Sequence, residues 1–264
     1  MKVIMMTDLE GVAGVVSFTQ HSYSDATYYE NAKKLLTAEV NAAVDGFLNA
    51  GATEILVNDG HGPGGITFED LHPAAKLLHG RPLANADIRT AVTSEYDVAV
   101  MVGQHAMAGV VGGNLAHTQS SRHVDYYKLN GTPIGEIAQW ALYCGALGLP
   151  LIFLSGDNDA CREVEALIPV IITVETKRSL SRNSAISLSA QESRRRIREG
   201  AARALEIHQQ NPIPPLVWEG PYVLEKRFFH TDIADAVAAQ PGVERVDSQT
   251  VRLVSDNVLD IIYR

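Results

Sequence analysis

Short, wholly apolar runs alternate with longer stretches of helical periodicity along the first two thirds of the chain. Val3–Met6, Ile55–Val57, Val98–Val102 and Leu151–Leu154 read as strands buried on both faces. Between the first two, Leu36, Val40, Ala43, Val44 and Phe47 share one face of a helix over Tyr28–Ala50, and Gly51 suits its C-terminal cap. A helix joining two such strands is a crossover, which makes the strands parallel. Asp125–Leu129, Asn130-Gly131 and Thr132–Ile134 read as a hairpin, because Asn-Gly supplies the positive φ angles of a type I′ turn. A helix carrying Ile137, Trp140, Ala141 and Cys144 follows. Ser189-x-x-Glu192 is a capping box that opens a long helix to about His208. Pro212, Pro214 and Pro215 then break the pattern. Beyond them, Tyr222–Phe229, Val243–Asp247 and Val251–Val254 read as strands, with one helix from Thr231 as N-cap and another near the terminus. The predicted fold class is α/β, a mainly parallel sheet with crossover helices, plus a smaller mixed α+β C-terminal segment. Residues 1–210 form the metal-binding catalytic domain of this reading, and 216–264 pack on it or on a neighbouring subunit.

Composition narrows the function classes. With 264 residues and 46% hydrophobic content the chain can bury a full core. A mean hydropathy of −0.01 and no apolar run of spanning length argue against a membrane protein. The acidic Asp8 and Glu10 stand where a signal peptide needs a small-residue cleavage site, so no export signal is read. Two cysteines, Cys144 and Cys161, sit in apolar helical patterns and fit a reduced, cytoplasmic protein. The net charge of −9 disfavours nucleic acid as a partner. Arg194-Arg195-Arg196 with Arg198 reads as a solvated helix face.

The chemistry lies at the ends of the apolar runs. Val3–Met6 leads to Asp8 and Glu10, Ile55–Val57 to His61, Val98–Val102 to His105, and Asn114-Leu115-Ala116 to His117. Glu136 opens the helix after the hairpin. Ligands in open α/β sheets bind beyond the carboxyl ends of the strands, where these residues would gather. Singly, each has an ordinary reading as a turn acid, a loop or core histidine, or a partner for a helix dipole; it is the repetition that singles them out. Asp8, Glu10, Glu136, His61 and His105 form a nitrogen and oxygen set suited to zinc, manganese or cobalt. Five ligands exceed the three of a usual catalytic zinc, so two divalent ions fit better, with Asp8 bridging, Glu10 and His61 on one and His105 and Glu136 on the other. The remaining histidines lack such placement.

These residues carry a resemblance. Met6-Thr7-Asp8-Leu9-Glu10-Gly11, Val57-Asn58-Asp59-Gly60-His61, Gly103-Gln104-His105-Ala106, Ala116-His117-Thr118 and Gly135-Glu136 resemble, in order, the motifs of the DppA-type D-aminopeptidases, dinuclear zinc peptidases. Asp70–Pro73, Ser155-Gly156-Asp157 and Thr176-Lys177-Arg178 extend the likeness over the first two thirds. The resemblance implies zinc ligands at Asp8, Glu10, His61, His105 and Glu136 and a catalytic histidine at His117. It implies hydrolysis of short peptides or amides with an N-terminal D-residue, by activated water with His117 as acid/base, oxyanion partner or nucleophile. It also implies a ring-shaped homo-oligomer, a decamer among the candidate rings. Gln104 and Met107 depart from the family pattern, which has an aromatic before the ligand histidine and a basic residue shortly after; both are expected on the substrate side. The apolar tail residues Val258, Leu259, Ile261, Ile262 and Tyr263 also argue for a homo-oligomer.

Two rivals remain at this point. An amidase or phosphoesterase could use the same ligands, though a phosphoesterase wants cations nearby and the sequence offers Arg122 and Lys128. A non-catalytic metal-stabilised binding or assembly protein would have no use for His117.

Overall fold

A computed structural model describes residues 1–264. The seven-stranded main sheet contains β1 (Lys2–Thr7), β2 (Glu54–Asp59), β3 (Ala75–Leu78), β4 (Val98–Gln104), β7 (Leu151–Asp157), β8 (Ile172–Ser181) and β9 (Ser184–Ser187), in the order β3-β2-β1-β4-β7-β8-β9. All neighbours are parallel except β9, which turns back antiparallel on β8. Every residue of β4 and β7 is buried, as the apolar runs predict.

The helices are α1 (Tyr29–Asn49), α2 (Ala86–Thr93), α3 (Glu136–Ala146), α4 (Asn158–Leu167) and α5 (Ala190–Gln210). From β1 the chain runs through α1 to β2 on one side, whereas from β4 it runs on to α3 and β7 on the other. Right-handed crossovers therefore place α1 and α3 on opposite faces of the sheet. α5 packs beside α1, and α4 beside α3. The direction of winding reverses between β1 and β4, which opens a crevice at their carboxyl ends.

A second, antiparallel sheet holds β5 (Val124–Leu129), β6 (Thr132–Ile134), β10 (Tyr222–Phe228), β11 (Glu244–Arg245) and β12 (Thr250–Ser255), in the order β11-β12-β10-β5-β6. Asn130 and Gly131 have φ of 50° and 80°, the turn expected between β5 and β6. β10 pairs with β5, so the stretch after the prolines packs on the rest of its own chain through the hairpin. α6 (Thr231–Ala238) lies on this sheet, and His230 rather than Thr231 is its N-cap residue. Val258, Ile261 and Ile262 are buried within the chain, and the Gln139 side chain donates to the Ile262 carbonyl at 2.7 Å. The apolar tail is thus satisfied in place, and its hydrophobicity is no argument for a second subunit.

Glycine lets three backbone segments meet at the end of β4. A Cβ at Gly11 would lie 1.9 Å from the Gln104 carbonyl oxygen, and one at Gly156 2.1 Å from the same atom. Gly103, at φ +81°, would place a Cβ 2.0 Å from the Asp8 carbonyl oxygen. Gly51 shares the left-handed conformation, at φ +90°, but has open space around it. Gly51→Ala should therefore cost only left-handed strain, about 1–2 kcal/mol, or ~2–8 °C in Tm for a chain of this size. Gly103→Ala should lose clearly more, because the Asp8 segment must move; equal melting temperatures for the two variants in thermal denaturation would refute this close approach.

Candidate metal centre

The crevice gathers all six singled-out residues, though not all from strand ends. Asp8 and Glu10 lie just past β1, in a loop rather than within the strand, and His61 lies just past β2. His105 directly follows β4, and Glu136 is the first residue of α3. His117 departs from expectation: no strand precedes it, and it sits in the long coil between β4 and β5. Leu115 and Gln119 flank it at φ of 55° and 61°, left-handed conformations that non-glycine residues adopt only under constraint. The constraint comes from the β8–β9 turn. The buried Asn114 amide donates to Val16, Ser181 and Arg182 carbonyls, and Arg182 donates to the Ala116 carbonyl at 2.8 Å.

Each histidine has one ring nitrogen against a backbone carbonyl. His61 Nε2 is 3.0 Å from the Ser22 carbonyl, His105 Nδ1 2.9 Å from that of Ala106, and His117 Nδ1 2.9 Å from that of Leu115. A carbonyl only accepts, so these nitrogens carry the protons, and the opposite nitrogen of each ring faces the centre. His61 Nδ1 lies 3.1 Å from Asp8 Oδ1 and 3.2 Å from Glu10 Oε2. His105 Nε2 lies 3.0 Å from Asp8 Oδ2 and 3.5 Å from Glu136 Oε1. Asp8 thus turns one oxygen to each group. Around a tetrahedral zinc with bonds of ~2.0 Å, donor atoms stand about 3.3 Å apart, and these separations fall around that value. Glu10 Oε2 and His105 Nε2 are buried without a hydrogen-bond partner. Acceptors packed this tightly suit a shared cation.

Charge in the site points the same way. Burial opposes protonation of His61 and His105, but the facing Glu10 and Asp8 carboxylates at His61, and Asp8 and Glu136 at His105, hold both well above the usual histidine range. Burial would raise Glu10, yet charge on His61 takes it well below the usual carboxylate range. His117 is different: burial and the charge of neighbouring His105 lower it, leaving a neutral imidazole at pH 7. Its ring stacks on that of His105 at 4.0 Å, and its Nε2 is 3.8 Å from Glu136 Oε1. Glu136 Oε1 also accepts the Gln119 N–H at 2.7 Å.

Several supporting residues had no role assigned from sequence. The buried Lys177 ammonium donates to the Glu10 and Val15 carbonyls, fixing the loop that carries Glu10. Burial pushes it down to about 8, against the pull of Asp157, Glu10 and Glu39. Arg81 donates to the carbonyls of Asp59 and His61, each at 3.1 Å, and so ties down the His61 loop. Asp59 accepts the Gly65 and Ile66 N–H groups and so shapes the same loop. Ser22, in a short helical turn, donates to Glu10 Oε1.

Two spaces open from the centre. An exposed polar cleft of about 470 Å³ reaches Glu10, His61 and His117. A more apolar cavity of about 130 Å³ runs under Gln104 toward Trp140 and Tyr143. They share Asp8 and Glu136. Gln104 lines the smaller cavity, whereas Met107 does not border it: Met107 packs at Gly135, and its N–H donates to Glu163 at 2.8 Å. Of the cations considered from sequence, Arg122 borders the cleft with its guanidinium over the Tyr23 ring, and Lys128 lies over Tyr126. Arg81 and Arg89 lie in the wall of the cavity.

Similarity to known proteins agrees with this arrangement. Residues 1–263 match the family model of the M55 peptidases, described as D-aminopeptidase. A D-aminopeptidase of Bacillus subtilis (strain 168) is 29% identical over 264 residues, spanning 98% of this chain and 93% of its own. The solved structure of the Zn-dependent D-aminopeptidase DppA from Bacillus subtilis, described as a self-compartmentalizing protease, superposes with a TM-score of 0.90 at 28% identity, covering 100% of this chain and 94% of that one. The chain belongs to the D-aminopeptidase family of M55 peptidases.

Proposed function

We propose that the protein is a zinc aminopeptidase that hydrolyses short peptides or amides with an N-terminal D-residue, with Asp8, Glu10, His61, His105 and Glu136 as ligands of two ions and His117 as the catalytic acid/base. The observation that carries this reading is the division of donors about Asp8, whose Oδ1 faces His61 and whose Oδ2 faces His105. The relative's zinc dependence supports the choice of metal. When bound, the ions supply Lewis-acid polarisation of the scissile carbonyl and activation of a water.

The chain's own residues supply the proton traffic. His117 carries its proton on Nδ1, held by the Leu115 carbonyl, so Nε2 is the basic atom and faces the ligands. As water adds to the carbonyl carbon, Nε2 takes its proton; as the C–N bond breaks, the same proton passes to the leaving nitrogen. A lowered pKa keeps the imidazole unprotonated at neutral pH and makes the imidazolium, once formed, the stronger proton donor to the leaving nitrogen. Stacking on His105 and edge contact with Phe18 at 5.4 Å keep the ring in one orientation. Phosphate ester hydrolysis is less well supported, because the matching family model and the Bacillus subtilis relative are both D-aminopeptidases.

Assembly into a ring-shaped homo-oligomer, a decamer in its finest form, is part of the same proposal, supported by the self-compartmentalizing description of the relative. No helix is long and apolar enough to cross a membrane. Free, buried Cys144 and Cys161 fit a reducing, cytoplasmic setting.

Purified active protein should hold close to two equivalents of zinc, and Asp8→Ala should lower occupancy most. His117→Ala should keep its metal and lose about 10²–10⁴ in kcat, with the wild-type acidic limb of kcat lying below the ordinary histidine value of 6.5, since a depressed base stays unprotonated to lower pH. Metal loss in His117→Ala would make it a ligand instead. D-aminoacyl amides should turn over faster than their L-isomers in a paired kinetic screen; equal rates, or cleavage of phosphate esters alone, would displace the D-aminopeptidase reading. Light scattering should give a mass well above the 28.6 kDa of one chain, and a monomer at micromolar concentration would remove the ring.

A further inference from the structure

The smaller cavity contains polar groups that the hydrolytic machinery does not use. Glu136, Trp140 and Tyr143 stand at i, i+4 and i+7 on α3, so one helix face runs from the metal ligands into the cavity, about 10 Å along the axis. Its volume of about 130 Å³ is many times the ~10–15 Å³ that one water needs. Met101 and Tyr263 add apolar wall. Against this wall, Trp140 is 2% exposed and its Nε1–H has no acceptor; Gln104 is 1% exposed and its Oε1 has no donor. Arg89 on α2 enters the same cavity. Its Nε donates to the Ala84 carbonyl at 3.0 Å, but its terminal nitrogens have no hydrogen-bond partner and no carboxylate lies within ion-pair distance. An indole N–H buried without an acceptor costs stability unless something fills its place, and the unpaired guanidinium gives the same cavity a free positive charge.

We propose that this cavity is a carboxylate-binding subsite, in which Arg89 and the Trp140 N–H receive a carboxylate of the substrate while the scissile amide lies at Asp8 and Glu136. The inference rests on the aminopeptidase reading for the position of that amide. Arg89 answers the charge, Trp140 adds a directed donor, and the apolar wall holds the spacer between amide and acid. Gln104, with its free amide, meets the backbone of the same ligand. The field of Arg81 at the entrance offsets the repulsion that Asp59 would exert on an incoming anion. The carboxylate has two sources: the side chain of an N-terminal D-glutamyl or D-aspartyl residue, or the free C-terminus of a dipeptide.

The test compares substrates with and without the acid on zinc-loaded enzyme. D-glutamyl amide against D-glutaminyl amide reads the side-chain source, and D-alanyl-D-alanine against its C-terminal amide reads the chain-end source. In wild type, the acidic member of one pair should have the lower KM by about 10- to 100-fold, the span of one charge-assisted hydrogen bond. Arg89→Met should collapse that ratio mainly through KM, Arg89→Lys should recover part of it, and Trp140→Phe, which deletes the N–H and keeps a ring, should reduce it independently should substitution at 89 prevent folding. Zinc content should stay near the wild-type value in all three. A preference for the neutral member of both pairs, or a ratio that survives both Arg89→Met and Trp140→Phe, overturns the subsite. Calorimetric titration of the zinc-loaded His117→Ala variant with D-glutamate and with D-alanyl-D-alanine decides the matter with turnover suppressed: if wild type hydrolyses none of these compounds, the aminopeptidase reading fails, while Arg89-dependent binding of either probe still upholds the subsite and its absence refutes it.

Discussion

The structure is organised around a concentration of buried acceptors that would repel one another without positive charge between them. Carboxylates from Asp8, Glu10 and Glu136 and ring nitrogens of His61 and His105 meet at separations of 3.0 to 3.5 Å. Such a cluster survives folding only if the surrounding chain holds it rigidly and a cation neutralises it. The histidine protons committed to backbone carbonyls, the lysine beneath the Glu10 loop and the arginine across the His61 loop all serve that requirement. The sheet's reversal of winding supplies the place.

That place depends on backbone approach as much as on side-chain chemistry. Gly11, Gly103 and Gly156 let the segments that carry Asp8, Glu10 and His105 close to contact around Gln104. Thr176 locks the arrangement by donating to the carbonyls of both Gly11 and Gly156. The centre is therefore built on packed main chain, with little slack for the ligands to drift.

Elements with strong apolar periodicity were legible in the sequence. β1, β2, β4, β7, α1, α3 and the hairpin fall where their patterns place them, because burial on both faces of a parallel sheet leaves continuous apolar runs. β3 and α2 left no such signal: β3 is a half-exposed edge strand, and α2 buries only Thr93 among its residues. The expected strand at Val243–Asp247 shrinks to Glu244–Arg245, at the rim of its sheet, where pairing on one side sustains little length. At the site, residues at strand ends could be found by position. Lys177 and Arg89 could not, because one acts on backbone carbonyls and the other is brought to the cavity by a short helix that buries almost nothing. His117 stood out by its local context, whereas its coil setting, held by Asn114 and Arg182, follows from contacts distant in sequence.

The order of parts along the chain bears on its biosynthesis. The proposed metal ligands and His117 all lie between residues 8 and 136, whereas Lys177, Arg182 and the Ile262 carbonyl, which fix the Glu10 loop, the His117 loop and α3 respectively, come later. A chain emerging from the ribosome thus presents every proposed ligand side chain before three of the groups that set their geometry exist. Completion of the centre waits on the last part of the chain, and a lesion between residues 177 and 182 would reach it from far along the sequence.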